Sequence, residues 1–181
     1  GTGFGNRSNH KIFGITKAYS TRVGSGPFPT ELFDKVGEHL GEKGKEFGTV
    51  TKRKRRCGWI DCVLLKQSIS LNGVTDIVLT KLDVLDELES INICVGYKIN
   101  DMDYDYFPSE EYLFDKIIPV YKKFDGWMTS TVGINEWSNL PKNAKKYIQC
   151  LEEITNSRIS IVSTGPDRNE TIDVNGILLS L

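Results

Sequence analysis

Apolar residues recur along this chain in two rhythms, and the changes from one to the other mark out its elements. Lys11 to Tyr19 mixes β-branched and aromatic residues and predicts a strand. It runs into Thr21 to Pro29, where closely spaced prolines and glycines argue against regular structure. Thr30 is a suitable N-cap, and Leu32, Phe33, Val36 and Leu40 recur at helical spacing until Gly41 and Gly44 end the run. Ile60 to Leu71 predicts a buried helix that starts near Asp61 and is stopped by Asn72-Gly73. Short apolar runs at Val74 to Leu79, Ser90 to Tyr97 and Arg158 to Val162 predict strands. Tyr112 to Phe124 is apolar with Pro119 inside, hence a broken element, and the polar segment between Trp127 and Trp137 has no assignable rhythm. Pro141 predicts the first residue of a helix whose stripe of Ala144, Tyr147, Ile148, Leu151 and Ile154 reaches Thr155 and belongs to the core.

Length and composition add limits. The 181 residues suit one domain, and 39% hydrophobic with 26% charged residues is ordinary for a globular chain. No apolar run approaches the roughly 20 residues that cross a bilayer, and the N-terminus lacks the form of a secretory signal, so the expectation is a cytoplasmic protein away from membranes. Cys57, Cys62, Cys94 and Cys150 form no C-x-x-C pair, which predicts free thiols. His10 and His39 are isolated, and no metal site is expected. Two motif-like stretches fail on context. Gly1-x-Gly3-x-Gly5 has no preceding strand, as a dinucleotide fingerprint requires. Asp101-Met-Asp103-Tyr-Asp105 begins like a calcium loop, but Tyr106 and Tyr112 occupy the positions of the required Gly and Glu, so it reads as a solvated acidic loop.

With a net charge of −1, the adjacent cations Lys52, Arg53, Lys54, Arg55 and Arg56 are a local device. Glycines at 48 and 58 flank them, and the hydroxyls of Thr49 and Thr51 lie beside them. Guanidinium forks and nearby backbone N–H groups suit carboxylate and phosphate. Such runs also serve as nucleic-acid patches or solvated faces, so a non-catalytic nucleic-acid module remains the alternative. Its neighbours, Phe47 on one side and Trp59, Ile60, Val63, Leu64 and Leu65 on the other, favour a folded anion site.

Thr80-Lys81-Leu82-Asp83 stands at the carboxyl end of a predicted strand, the edge where open α/β sheets bind ligands. An Asp there can accept two parallel hydrogen bonds from a base with adjacent N–H donors, such as guanine N1–H and its 2-amino group, a pair adenine lacks; the alternative is an ordinary surface Lys and Asp closing a strand. A Lys two residues earlier lays its stem along the base plane. Ser163-Thr164-Gly165-Pro166-Asp167-Arg168 is a second loop at a strand end, with hydroxyls and backbone groups to offer. A phosphate-cradling G-x-x-x-x-G-K-S/T loop is missing, which argues against a standalone nucleotide binder.

Taken in order with Lys17-Ala-Tyr-Ser-Thr-Arg-Val-Gly24, Gly26-Pro-Phe-Pro-Thr-Glu-Leu32 and Arg55-Arg-Cys-Gly-Trp59, these loops closely resemble the carboxyl-terminal part of the adenylosuccinate synthetase family, from about Gly14 to Thr171. The resemblance implies an α/β fold, part of a large mostly parallel sheet flanked by helices, in a homodimer. It implies GTP-dependent ligation of L-aspartate to IMP, with Mg2+, giving adenylosuccinate, GDP and phosphate. Carried over by position, Thr49, Val50, Thr51, Lys52, Arg53, Lys54 and Arg55 form the aspartate loop. Val23 and Arg53 would meet IMP. Arg55, Lys81, Leu82, Asp83, Ser163, Thr164 and Gly165 would serve GTP.

The family usually writes the aspartate loop Thr-Thr-Thr-Gly-Arg-Pro-Arg-Arg. Here Val50 replaces a threonine, and Lys52 replaces a glycine whose positive φ the loop would need. The family's phosphate loop, its catalytic Asp and His and its magnesium ligands have no counterpart in these residues. The whole of 1–181 is therefore expected to be a single carboxyl-terminal fragment with no catalytic residue of its own, inactive alone and without affinity for nucleic acid.

Overall fold

The computed structural model describes residues 11–50 and 52–177. Its main sheet is largely parallel. β1 (Phe13–Lys17) pairs in parallel with β5 (Asp76–Thr80), which pairs in parallel with β9 (Arg158–Ser163), and β10 (Thr171–Asp173) closes the row antiparallel to β9. Lys17 stands opposite Thr80 in this register, so the chain leaves β1 and β5 at one edge, and β9 ends there too at Ser163. The fold is the α/β architecture with a mostly parallel sheet that the sequence implied.

Among the described residues three α-helices accompany the sheet: α1 (Lys35–Lys43), α2 (Cys62–Asn72) and α3 (Lys142–Thr155). α3 carries the expected stripe, with Ala144, Tyr147, Ile148 and Leu151 all at most 1% exposed. The Tyr147 hydroxyl donates to the Ala18 carbonyl at 2.7 Å, tying that helix to the chain just past β1. A bare hydroxyl in such a place would cost about 1–3 kcal/mol, so the bond fixes the tyrosine as well as the strand end. α2 starts as its sequence dictates. Asp61 caps it by accepting from Val63 and Leu64 N–H at 3.1 Å, and Gly73 closes it in the left-handed region at φ 62°. All four cysteines are buried free thiols.

A second sheet is built on β6 (Ser90–Ile99). It pairs in parallel with β4 (Ile60–Asp61) and antiparallel with β7 (Met102–Tyr104) and β8 (Ile118–Asp125). The remaining ribbon, β2 (Ser20–Arg22) against β3 (Arg56–Gly58), draws the 21–29 loop to the basic run.

Several sequence expectations are corrected. Thr30 is no N-cap: it is fully buried before the helix, and Asp34 caps α1 by accepting from Val36 and Gly37 N–H at 3.0 Å. Leu32 and Phe33 fall outside the helix, because a carboxylate four residues on makes the better cap. Thr21 and Arg22 are in a strand, since their partners on β3 are remote in sequence. The helix after Ile60 is buried mainly at its start, at Cys62 and Val63, while Leu71 is 79% exposed. The acidic loop contains β7, and Pro119 lies within β8, which pairs only with β6 among the described residues and so tolerates a missing donor. Pro141 sits one residue before α3 rather than inside it. The segment after Trp127, which has no rhythm in the sequence, is fastened by Asp86, whose buried carboxylate accepts from Trp127 Nε1 at 2.6 Å and from Thr131 N–H and Oγ1 at 2.6 and 2.8 Å.

Candidate functional site

The shared sheet edge delivers Lys17 from β1 and Lys81 from β5 to one buried carboxylate, that of Glu46. Lys17 Nζ donates to Glu46 Oε1 at 2.8 Å, Tyr19 Oη at 2.7 Å and Lys81 Nζ at 3.0 Å, while Arg55 donates to Oε2 at 2.9 Å. The Glu46 main chain is held as well, its N–H on the Gly41 carbonyl at 2.8 Å and its own carbonyl taking the Arg55 N–H at 2.9 Å. Burial alone would raise this acid. The bonds from Lys17, Tyr19, Lys81 and Arg55 more than offset it and hold the carboxyl at about 2. Tyr19 moves the other way, well above the phenol range, through burial and the neighbouring carboxylate. Gly44 makes room for the arrangement, because a Cβ there would sit 2.1 Å from the Tyr19 hydroxyl.

On one side of this hub lies a cavity of about 440 Å³. Thr80, Lys81, Asp83 and Val84 line it from the end of β5, and Ser163, Gly165 and Pro166 from the end of β9. Both predicted strand-end loops thus face a single space. Lys43, Gly44 and Lys45, from the end of α1, complete the wall and went unnoticed in the sequence. Burial pushes the Asp83 carboxyl up from its ordinary value. Lys81 takes the left-handed conformation at φ 60°, a costly setting that keeps Leu82 inward while Lys81 and Asp83 face the cavity. Two predicted residues are placed otherwise. Leu82 is fully buried in the core, and the buried Thr164 turns its hydroxyl to the Ile134 and Glu170 carbonyls.

On the other side a smaller cavity, about 100 Å³, is lined by Val23, Gly24 and Gly48 with Arg22 and the run Arg53 to Arg56. It brings Val23 together with Arg53 and Arg55. The basic run divides here. Lys52, Arg53 and Lys54 are exposed, whereas Arg56 grips both Glu31 oxygens through Nε and Nη2 and donates from Nη1 to the Gly24 and Gly26 carbonyls at 2.9 and 2.7 Å. That clamp shapes the loop bearing Val23. The turn at the tip is closed by Lys52 N–H on the Gly48 carbonyl and Gly48 N–H on that of Arg53, at 2.9 and 2.8 Å. Lys52 has φ 54°, so the conformation a glycine would supply is present with lysine in it. Thr49 and Val50 are exposed in the turn, and Thr51 lies outside the described residues, as do Gly1 to His10.

Glu46, Lys17, Tyr19 and Glu31 were missed. A lone glutamate between Gly44 and Gly48 carries no signal of burial, and Lys17 and Tyr19 became visible as partners once β1 lay beside β5.

The sequence model of the adenylosuccinate synthetase family matches residues 1–172. The chain belongs to the adenylosuccinate synthetase family. It is 52% identical over 172 residues to the adenylosuccinate synthetase of Alkalilimnicola ehrlichii, a match covering 95% of this chain and 40% of that protein. A fully ligated adenylosuccinate synthetase from Plasmodium falciparum superposes with a TM-score of 0.88 at 42% identity, covering 94% of this chain and 41% of that one. The chain therefore spans about two fifths of the length of these relatives, and shares with the solved one a largely parallel sheet flanked by helices. Among the described residues no helix is long and apolar enough to cross a membrane.

Proposed function

We propose that this chain supplies the dicarboxylate-binding loop and the guanine pocket of an enzyme that joins L-aspartate to IMP at the expense of GTP, yielding adenylosuccinate, GDP and phosphate. The observation that carries the reading is the pair of cavities on either side of Glu46, a cationic one at Arg53 and Arg55 and one with a carboxylate at Asp83, joined through that residue. In the larger cavity Asp83 accepts from guanine N1–H and the 2-amino group, Lys81 lies along the base, and Ser163 and Gly165 close over it. The size is right for a purine, since about 440 Å³ falls in the range of small-molecule sites. In the smaller one Arg53 and Arg55 meet the aspartate carboxylates and Val23 touches IMP beside Arg53; by sequence position, Thr49, Val50, Thr51, Lys52 and Lys54 belong to the same aspartate loop. Leu82 and Thr164 contribute through the main chain.

The family's chemistry implies Mg2+ for phosphoryl transfer. Among the described residues no group of three or more His, Cys, Asp or Glu side chains is placed to hold a metal, so these residues do not fit it. We propose that the phosphate-handling groups and the metal ligands belong to the part of the family's length that this match does not cover. The chain alone then has no ligase turnover, and the complete enzyme works as a homodimer. Its place is the cytoplasm. The nucleic-acid alternative loses ground on geometry, because Arg55 and Arg56 are committed to Glu46 and Glu31 rather than presented as a stripe.

Asp83→Asn in a full-length enzyme carrying this chain tests the assignment. The amide offers one acceptor and one donor, so use of GTP falls by on the order of tenfold or more, while xanthosine triphosphate, whose 2-oxo group accepts from the amide, improves. An unchanged preference between the two nucleotides rejects the base pocket.

A further inference from the structure

Lys81 at the base cavity and Arg55 at the anion cleft end on the same carboxylate. We infer that Glu46 is a positioning residue that links occupation of the two cavities; this rests on the ligand assignments proposed above. The division of donors between its two oxygens carries the inference. Oε1 takes Lys17, Tyr19 and Lys81, whereas Oε2 takes Arg55. Arg55 can therefore turn toward a ligand without disturbing any bond on Oε1.

Exposure is graded in the same sense. The Glu46 side chain is 0% exposed, while those of Lys17, Arg55 and Lys81 are 25%, 33% and 37% exposed. Arg55 and Lys81 line the two cavities and are reachable from them, and the anion is not. One buried carboxylate also faces three cations, which leaves a surplus of positive charge that an arriving carboxylate relieves. When a ligand anion draws Arg55 from Oε2, the undivided charge of Glu46 acts on Lys17 and Lys81 and holds Lys81 more firmly at the wall of the base cavity. Linkage makes the effect mutual, so a base held against Lys81 favours the anion at Arg55 to the same degree.

The test is a pair of NMR titrations on the 181-residue chain, with GMP as the base probe, in the absence and presence of saturating L-aspartate. In the wild-type chain GMP shifts the amides of Asp83, Ser163 and Gly165, and L-aspartate tightens it by on the order of fivefold. In Glu46→Gln the affinity for GMP falls and the L-aspartate effect disappears. Glu46→Asp keeps the charge with a shorter reach and serves where the glutamine variant does not fold. Linkage weaker than wild type but present supports the inference, and wild-type linkage overturns it. The two levels of the argument separate cleanly. GMP that leaves Asp83, Ser163 and Gly165 unmoved rejects the base pocket, and the inference falls with it. GMP that binds there with the same affinity and the same L-aspartate effect in the wild type and Glu46→Gln rejects the role of Glu46 alone.

Discussion

The two ends of the basic run, five residues of nearly uniform chemistry, are put to opposite uses. At the inner end Arg55 and Arg56 are half-buried and bound to Glu46 and Glu31, and Arg56 also gathers the carbonyls of Gly24 and Gly26. At the outer end Lys52, Arg53 and Lys54 are exposed around a tight turn. The difference is one of burial: a cation drawn in on a carboxylate built into the fold acts as a strut, and a cation at the exposed turn is within reach of a ligand. Arg55 stands on the boundary between the two. Its partner is internal, yet its guanidinium reaches the cleft.

The strongest way to break this contrast is to remove the inner counter-ion. Glu46 has an ordinary value of 4.5 and is held at about 2 in the folded chain. A carboxyl depressed by folding stabilises the native state fully above its unfolded value, and that contribution drains away as the pH falls through the folded one. Here the window runs from about pH 4.5 down to about 2, and the contribution amounts to about 3 kcal/mol. Urea unfolding of Glu46→Gln at pH 7 should show a loss of that order. Its stability should also change less between pH 4.5 and 2 than that of the wild type. Parallel pH curves for the two proteins would show that the inner cations do not depend on this carboxylate.

A milder change sharpens the contrast. Arg56→Lys keeps the charge but loses the planar fork that meets both Glu31 oxygens and the two glycine carbonyls at once. A cost of about 1.5 kcal/mol in urea unfolding is expected, since the pair is partly open to solvent and its strength is screened accordingly. Lys54→Met, two residues away at the exposed end, should stay within about 0.5 kcal/mol of the wild type. Equal effects would mean that the run is energetically uniform and the division is only geometric.

The sequence showed what depends on local order and hid what depends on pairing. The α3 stripe, the Asp61 cap and the Gly73 stop were legible because each is written within a few adjacent residues. The loops at 80–83 and 163–165 were legible as strand ends, and the parallel register then placed them on one cavity. Glu46 was not legible, because burial of a lone glutamate depends on Lys17 and Lys81 arriving from two strands far away in sequence. Thr30 misled for a related reason. It has the residue type of a cap, but its position beneath the β2–β3 ribbon is set by contacts of Gly58 and Trp59 with its carbonyl.

The smallest predicted effect concerns the outer turn, where the departure from the family pattern can be weighed. Lys52 occupies the left-handed region at φ 54°, and its N–H closes the turn on the Gly48 carbonyl. A residue with a Cβ pays about 1 kcal/mol there, whereas glycine does not, though glycine also gives the unfolded chain more freedom to lose. The two terms nearly cancel, so Lys52→Gly should stabilise the chain by about 0.5 kcal/mol in urea unfolding. It also removes one exposed cation from the tip while leaving Arg53 and the Arg55–Glu46 pair in place. A loss above 1 kcal/mol would show that the lysine side chain supports the turn, and the outer end would then share the structural duty of the inner one.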